Sequence, residues 1–157
     1  MMSRGGNLQS IEEYSFKTMG LSATGDEPVR SENLKVLLIE DDEADVYLIK
    51  TALADNPRIG EIVLAQDGVE ALELIDSGAV KPDLAIVDLH MPRKDGFALL
   101  LEFGARESVN FPSIVLTSSR SGADALRSRS RGADMYLVKP TTLGKLTALM
   151  DDVIATM

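Results

Sequence analysis

The chain contains no cysteine. A disulfide framework and a thiolate metal site are therefore excluded. Histidine occurs once, at His90. Nothing supplies it with the further ligands of an imidazole metal centre, and as a loop residue it is a poor phosphotransfer histidine. No apolar run approaches the ~18 residues of a membrane helix, and the N-terminus lacks the apolar core of a secretory signal. Basic residues are outnumbered: 16 Lys and Arg stand against 25 Asp and Glu, a net charge of −9. That disfavours general nucleic-acid binding, whose affinity comes mainly from Lys and Arg. A cytoplasmic protein that touches neither membrane nor nucleic acid is the expectation.

What is present is an ordinary globular composition. The 157 residues are 45% hydrophobic and 26% charged, enough for one domain that buries roughly 70% of its unfolded surface. Residues 1–33 read as a flexible leader, rich in Ser, Gly, Asn and acids. Ser10-Ile11-Glu12-Glu13 fits a capping box, but a helix of about ten residues is marginal unless it docks.

From Leu34 to Met157 the pattern is regular. Five short apolar runs recur, Val36–Ile39, Ile62–Ala65, Leu84–Val87, Ile114–Leu116 and Met135–Val138. They do not alternate with polar residues, as expected for strands buried on both faces of a parallel sheet. Helical spacing fills the intervals, through Leu48, Ile49, Ala52 and Leu53, then Val69, Leu72 and Ile75, then Phe97, Leu100 and Leu101. The last helix carries Leu143, Leu146, Met150, Val153 and Ile154. The fourth, about Gly122 to Arg131, has only Ala123, Ala125 and Leu126 to bury. Strands alternating with helices give an α/β fold, a (βα)5 flavodoxin-like doubly wound parallel sheet. Right-handed crossovers leave few topologies, and the order 2-1-3-4-5 is expected.

In such a sheet every strand C-terminus opens on one edge, where ligands bind. The first strand delivers Glu40, Asp41 and Asp42, the third Asp88, the fourth Thr117 and Ser118, and the fifth Lys139-Pro140. An aspartate at a strand end is usually a turn former, and Asp42 is also placed to cap the first helix. The carboxylates of Asp41, Asp42 and Asp88, brought together on neighbouring strands, with the Thr117 hydroxyl and Lys139 on the same edge make a sharper pattern. Two carboxylates ~4 Å apart repel by about 4 kcal/mol at an effective dielectric near 20. Either one takes a proton or a cation enters. An oxygen-only site with room for water and phosphate suits Mg²⁺, and Lys139 answers the remaining charge. Asp88 is then the candidate to attack phosphorus.

The segments "EDD", "DLHMPRKDG", "LTSS" and "YLVKP", in this order and spacing, resemble a response-regulator receiver domain over about Leu34 to Met157. "VLLIEDDEADVYLIKTAL" is similar to the stand-alone regulators paired with phytochrome-type kinases. The resemblance implies two-component signalling, with Asp88 taking phosphate from a histidine kinase or phosphotransfer protein. It implies a phosphoprotein rather than an enzyme, at most catalysing its own phosphorylation and dephosphorylation, as effector or phosphorelay intermediate. Mg²⁺ would be held by Asp41, Asp42, Asp88 and the backbone carbonyl of His90. Lys139 would pair with the phosphate, next to a cis bond to Pro140. Thr117 would turn toward a phosphate oxygen and Tyr136 swing into the space it vacates. The face of the fourth helix, fifth strand and fifth helix would then engage a protein partner or a second copy. With the sequence ending after the last helix, no output domain is expected.

Other readings fit less well. Tyr136 has a lesser reading as a half-buried sheet residue with no switching role, while Arg120, Arg127, Arg129 and Arg131 read as a solvated face rather than a docking one. A phosphohydrolase with an Asp nucleophile wants a second Asp where His90 stands. Nucleotide or flavin binding wants a Gly-rich phosphate loop, where Glu40-Asp41-Asp42 would repel phosphate. A receiver-like scaffold that binds partners without phosphorylation is the alternative.

Overall fold

The computed structural model describes residues 33–157. The leader expected over residues 1–33, with its capping box at Ser10–Glu13, lies outside the described residues apart from Asn33. In chain order the elements are β1 (Leu34–Ile39), α1 (Glu43–Ala54), β2 (Ile59–Ala65), α2 (Gly68–Asp76) and β3 (Leu84–Val87). They continue as α3 (Gly96–Gly104), β4 (Ser113–Thr117), α4 (Gly122–Ser130), β5 (Met135–Val138) and α5 (Leu143–Ala155). All strand pairs are parallel, in the order β2-β1-β3-β4-β5. This is the (βα)5 flavodoxin-like arrangement the periodicity predicts.

Apolar residues on both faces of each inner strand force helices onto both sides. One layer packs Ile49, Leu53, Leu146, Leu149, Met150 and Val153 of α1 and α5 against Val36, Leu38, Ile86 and Ile114. The other packs Ala71, Leu72 and Ile75 of α2 and Leu99 and Phe103 of α3 against Leu37, Ile39, Ala85 and Val87. Strand β2 is an edge and only partly buried, which is why Gly60 and Glu61 interrupt its apolar run and only Ile62–Ala65 reads as continuous.

Each helix begins where a short polar side chain satisfies amide groups that have no partner inside the helix. Asp42, Asp67, Asp95, Ser121 and Thr142 accept from backbone N–H groups of the first turns of α1 to α5. Each such cap contributes on the order of 1 kcal/mol.

The helical faces differ in detail from those expected. Leu48, Leu101, Leu126 and Leu143 are exposed. In α3 the expected Phe97 and Leu100 are buried and are joined by Leu99 and Phe103, and in α4 the residues facing inward are Ala125 and Ser128. A residue next to the stripe lies about 100° round the helix, so an apolar pattern one position too wide assigns exposed leucines to the core. Among the described residues no helix is long and apolar enough to cross a membrane.

Candidate functional site at the C-terminal edge of the sheet

Main-chain pairing runs one residue beyond the strands and sets the site. The Asp88 N–H donates to the Ile39 carbonyl (3.0 Å), and the Glu40 N–H donates to the Ala65 carbonyl (3.0 Å). Glu40 and Asp88 thus leave adjacent strands side by side. The Lys139 N–H donates to the Thr117 carbonyl (2.8 Å), continuing the β4–β5 ladder. The three main chains deliver their polar side chains to one cleft of about 280 Å³, where Asp41, Asp42, Asp45, His90 and Ser118 complete the lining.

The carboxylate cluster consists of Glu40, Asp41 and Asp88, each with an oxygen within 4.8 Å of the others'. Asp42 differs from its expected role beside Asp41. Its Oδ1 accepts from the Ala44 and Asp45 N–H groups (2.9 and 3.0 Å), so it serves as the cap of α1, and Glu40 takes its place in the cluster. The reason lies in the strand end: β1 stops at Ile39, so Glu40 is the first residue past it, and Asp42 is already turning into the helix.

Lys139 answers this charge unevenly. Its Nζ donates to Asp45 Oδ2 (2.7 Å) and Glu40 Oε1 (2.9 Å), and stands 3.8 Å from Asp88 Oδ1. Burial pushes Glu40 up to about 7, with the Asp88 charge adding to the effect and Lys139 opposing it. Burial likewise raises Asp88 above its ordinary value, against the pull of Lys139. On Lys139 burial works downward. It is outweighed by the hydrogen bond to Asp45 and the charges of Asp88 and Glu40, which hold the ammonium above its ordinary value. The site therefore carries more negative charge than one lysine neutralises, and an all-oxygen donor set under that strain fits a hard divalent cation.

The loop after β3 is fixed at two points. The Gly96 N–H donates back to the Leu89 carbonyl (2.9 Å). A Cβ on Gly96 would lie 2.5 Å from the Asp88 carbonyl oxygen, so only glycine permits this fold-back. Arg93, in left-handed backbone (φ 64°), donates from Nε to Asp67 Oδ2 (2.6 Å) at the start of α2. The exposed His90 sits on this loop at the rim of the cleft.

Behind the cleft lie the two other singled-out residues. Thr117 is fully buried, its Oγ1 accepting from the Ser119 N–H (3.3 Å). Tyr136 is also interior rather than half-buried, and its hydroxyl donates to the Ser119 carbonyl (2.8 Å). The Lys139–Pro140 bond, expected to be cis, is trans, the ordinary X–Pro form. On α4, the Arg127 guanidinium lies 3.9 Å from the centre of the Phe97 ring. Arg131 Nη1 donates to the Phe97 carbonyl (3.3 Å). Both side chains tie α4 to α3.

A larger cleft, about 650 Å³, opens at the opposite edge of the sheet, between the end of α2 and the start of β4. Its acids are engaged: Asp76 by Arg106, and Asp83 by the Lys35 N–H. Charge, not size, marks the site.

Residues 36–151 match the family model described as response regulator receiver domain. The chain belongs to this family. Among curated relatives of the receiver domain is the response regulator MprA of Mycobacterium ulcerans (strain Agy99), 36% identical over 118 residues. That match covers 75% of this chain and 49% of the relative, so the chain spans about half the length of such relatives. Among solved structures, the phosphorylated cyanobacterial phytochrome response regulator RcpA superposes with a TM-score of 0.72 at 31% identity, covering 77% of this chain and 91% of that one. The Mn²⁺-bound form of response regulator Rcp1 gives 0.71 at 26% identity, covering 78% and 92%. The receiver fold and the phytochrome-regulator resemblance both stand.

Two residues of the cleft were given no role from the sequence: Glu40 was placed at the edge but left out of the ion-holding set, and Asp45 was not named. Glu40 was readable by counting from the last apolar residue of β1. Asp45 was not, because its partner Lys139 is 94 residues away.

Proposed function

We propose that this chain is a phosphorylation-controlled switch of a two-component system. Asp88 accepts a phosphoryl group from the phosphohistidine of a histidine kinase or phosphotransfer protein, in an Mg²⁺-dependent reaction. The observation that carries this is the charge imbalance at Asp88. A buried carboxylate at a strand end has two acids within 4.8 Å and an ammonium 3.8 Å away. An Asp88 oxygen attacks phosphorus in line, and the phosphorus–nitrogen bond of the donor breaks. Its electron pair returns to the imidazole, leaving an acyl phosphate on Asp88. Asp41, Asp88 and the His90 backbone carbonyl would hold Mg²⁺, with Glu40 beside them. The ion supplies neutralisation of the cluster and of the incoming phosphate. Lys139 pairs with a phosphoryl oxygen as a mobile point cation.

The response runs through Thr117 and Tyr136 to the face of α4, β5 and α5, where a protein partner or second copy binds. The support is contiguity. Thr117 and Tyr136 both bond to Ser119 at the entry to α4, and Leu126 and Leu143 are exposed on that side. A coupling of about 1–3 kcal/mol suffices for such a switch. The protein is a phosphoacceptor and not an enzyme in the ordinary sense.

The test is intact-mass analysis after incubation with Mg²⁺ and a small acyl phosphate. One adduct of about 80 Da per chain is expected, absent in Asp88→Asn and absent with excess chelator. An adduct that persists in Asp88→Asn would remove Asp88 from its role. No adduct in either protein would favour a scaffold that binds without phosphorylation. Steady turnover of a small phosphoester would favour an enzyme.

A further inference from the structure

Lys139 is not bonded to the residue it is meant to serve. The first claims on its ammonium are Asp45 at 2.7 Å and Glu40 at 2.9 Å, whereas Asp88 at 3.8 Å lies outside hydrogen-bond range. The two partners are not equivalent. The Glu40 side chain is 1% exposed and that of Asp45 is 33% exposed. Glu40 also belongs to the carboxylate cluster, whereas Asp45 does not. Asp45 is in the first turn of α1, where negative charge is favourable, and its own N–H is taken by the Asp42 cap.

Releasing the ammonium therefore costs the two acids differently. Glu40, stripped of Lys139, would be a buried anion beside two others. Asp45 would turn into water at the mouth of the cleft. Asp45 is the partner that Lys139 exchanges easily.

We propose that Asp45 is a positioning residue that acts through Lys139. It holds the ammonium off Asp88 and gives it up when an anion arrives there. The inference rests on the phosphoacceptor reading above and deepens it by assigning a residue that sets how readily the switch is thrown. The consequence has a distinctive sign. Asp45 opposes an anion on Asp88 twice, by competing for Lys139 and by its own charge at the cleft wall. Toward a cation in the same cleft it acts the other way. It adds negative charge and keeps Lys139 from crowding the carboxylates. A residue that merely supported the fold would weaken both kinds of binding when replaced.

The experiment titrates the full chain by calorimetry, first with Mg²⁺ alone and then with beryllofluoride at saturating Mg²⁺. Wild type is compared with Asp45→Asn and Asp45→Glu. Asp45→Asn is expected to bind beryllofluoride roughly two- to fivefold more tightly, the scale for losing a partly exposed charge pair near a second anion. It should bind Mg²⁺ more weakly, and Asp45→Glu should restore wild-type behaviour in both titrations. Added salt should shrink the difference. Equal or weaker beryllofluoride binding by a folded Asp45→Asn protein would overturn the proposal. Should that variant not fold, Asp45→Ser is judged by the same opposed signs. Wild-type protein that binds neither probe would instead defeat the phosphoacceptor reading itself.

Discussion

Raising the pH should destabilise this protein when no divalent cation is present. Glu40 is pushed from 4.5 up to about 7 by burial, with the Asp88 charge next. A carboxyl whose value is higher in the folded state stabilises that state fully below its unfolded value. The stabilisation is lost as pH climbs through the folded value. The window is therefore about 4.5 to 7, and the shift corresponds to about 3 kcal/mol. Asp88 is shifted in the same direction and adds to the fall. Asp76 and Glu102, held low by Arg106, titrate below this window. The raised Lys139 titrates above it. The assay is thermal unfolding at pH 5, 6, 7 and 8 in chelator, with and without excess Mg²⁺, for wild type and Glu40→Gln. Metal-free wild type should lose on the order of 10 °C between pH 5 and 8. Excess Mg²⁺ should abolish most of that loss, because a cation takes the place of the proton. Glu40→Gln should flatten the metal-free profile, and the comparison subtracts the titrating groups outside the carboxylate cluster. A metal-free profile that is level or rising in wild type, or equally steep in the variant, would refute the reasoning.

Three further outcomes follow from the geometry. Gly96→Ala should cost about 1–3 kcal/mol and weaken Mg²⁺ binding. Its Cβ would meet the Asp88 carbonyl oxygen at 2.5 Å and Leu89 Cα at 2.7 Å, backbone atoms that cannot rotate aside. An unchanged urea midpoint and unchanged Mg²⁺ affinity would count against the fold-back as a constraint on Asp88. Asp134→Ala should cost about 1–3 kcal/mol in urea unfolding, because Oδ2 of this buried acid accepts the Ser113 N–H at 2.7 Å and pins the start of β4. Tyr136→Phe removes a hydroxyl that donates to the Ser119 carbonyl at 2.8 Å. About 1 kcal/mol of stability should go with it, accompanied by faster amide exchange at Ser119–Ser121.

Legibility in the sequence follows the range of each interaction. Continuous apolar runs such as Leu84–Val87 identify buried parallel strands, because no alternation means no solvent face. The cap at Asp42 was readable because capping is a matter of three or four neighbouring residues. The exposed Leu101 and Leu126 could not be told from core residues, since which side of an apolar stripe meets the sheet depends on packing. Asp42 shows the limit from the other direction. Its cap role and its cleft role were both written in the sequence, and the hydrogen bonds to Ala44 and Asp45 decide for the cap.

The order of strands and the gathering of Asp88, Thr117 and Lys139 at one edge were determined by sequence alone. Parallel βα units with right-handed crossovers leave almost no other place for strand-end residues to go. Only the tertiary structure decided that Glu40 rather than Asp42 completes the carboxylate cluster, and that Asp45 and Glu40 rather than Asp88 hold the lysine. Those choices turn on differences of about an ångström between side chains as many as 99 residues apart. No local pattern encodes such distances, because they are set by how α1 and three strands pack together.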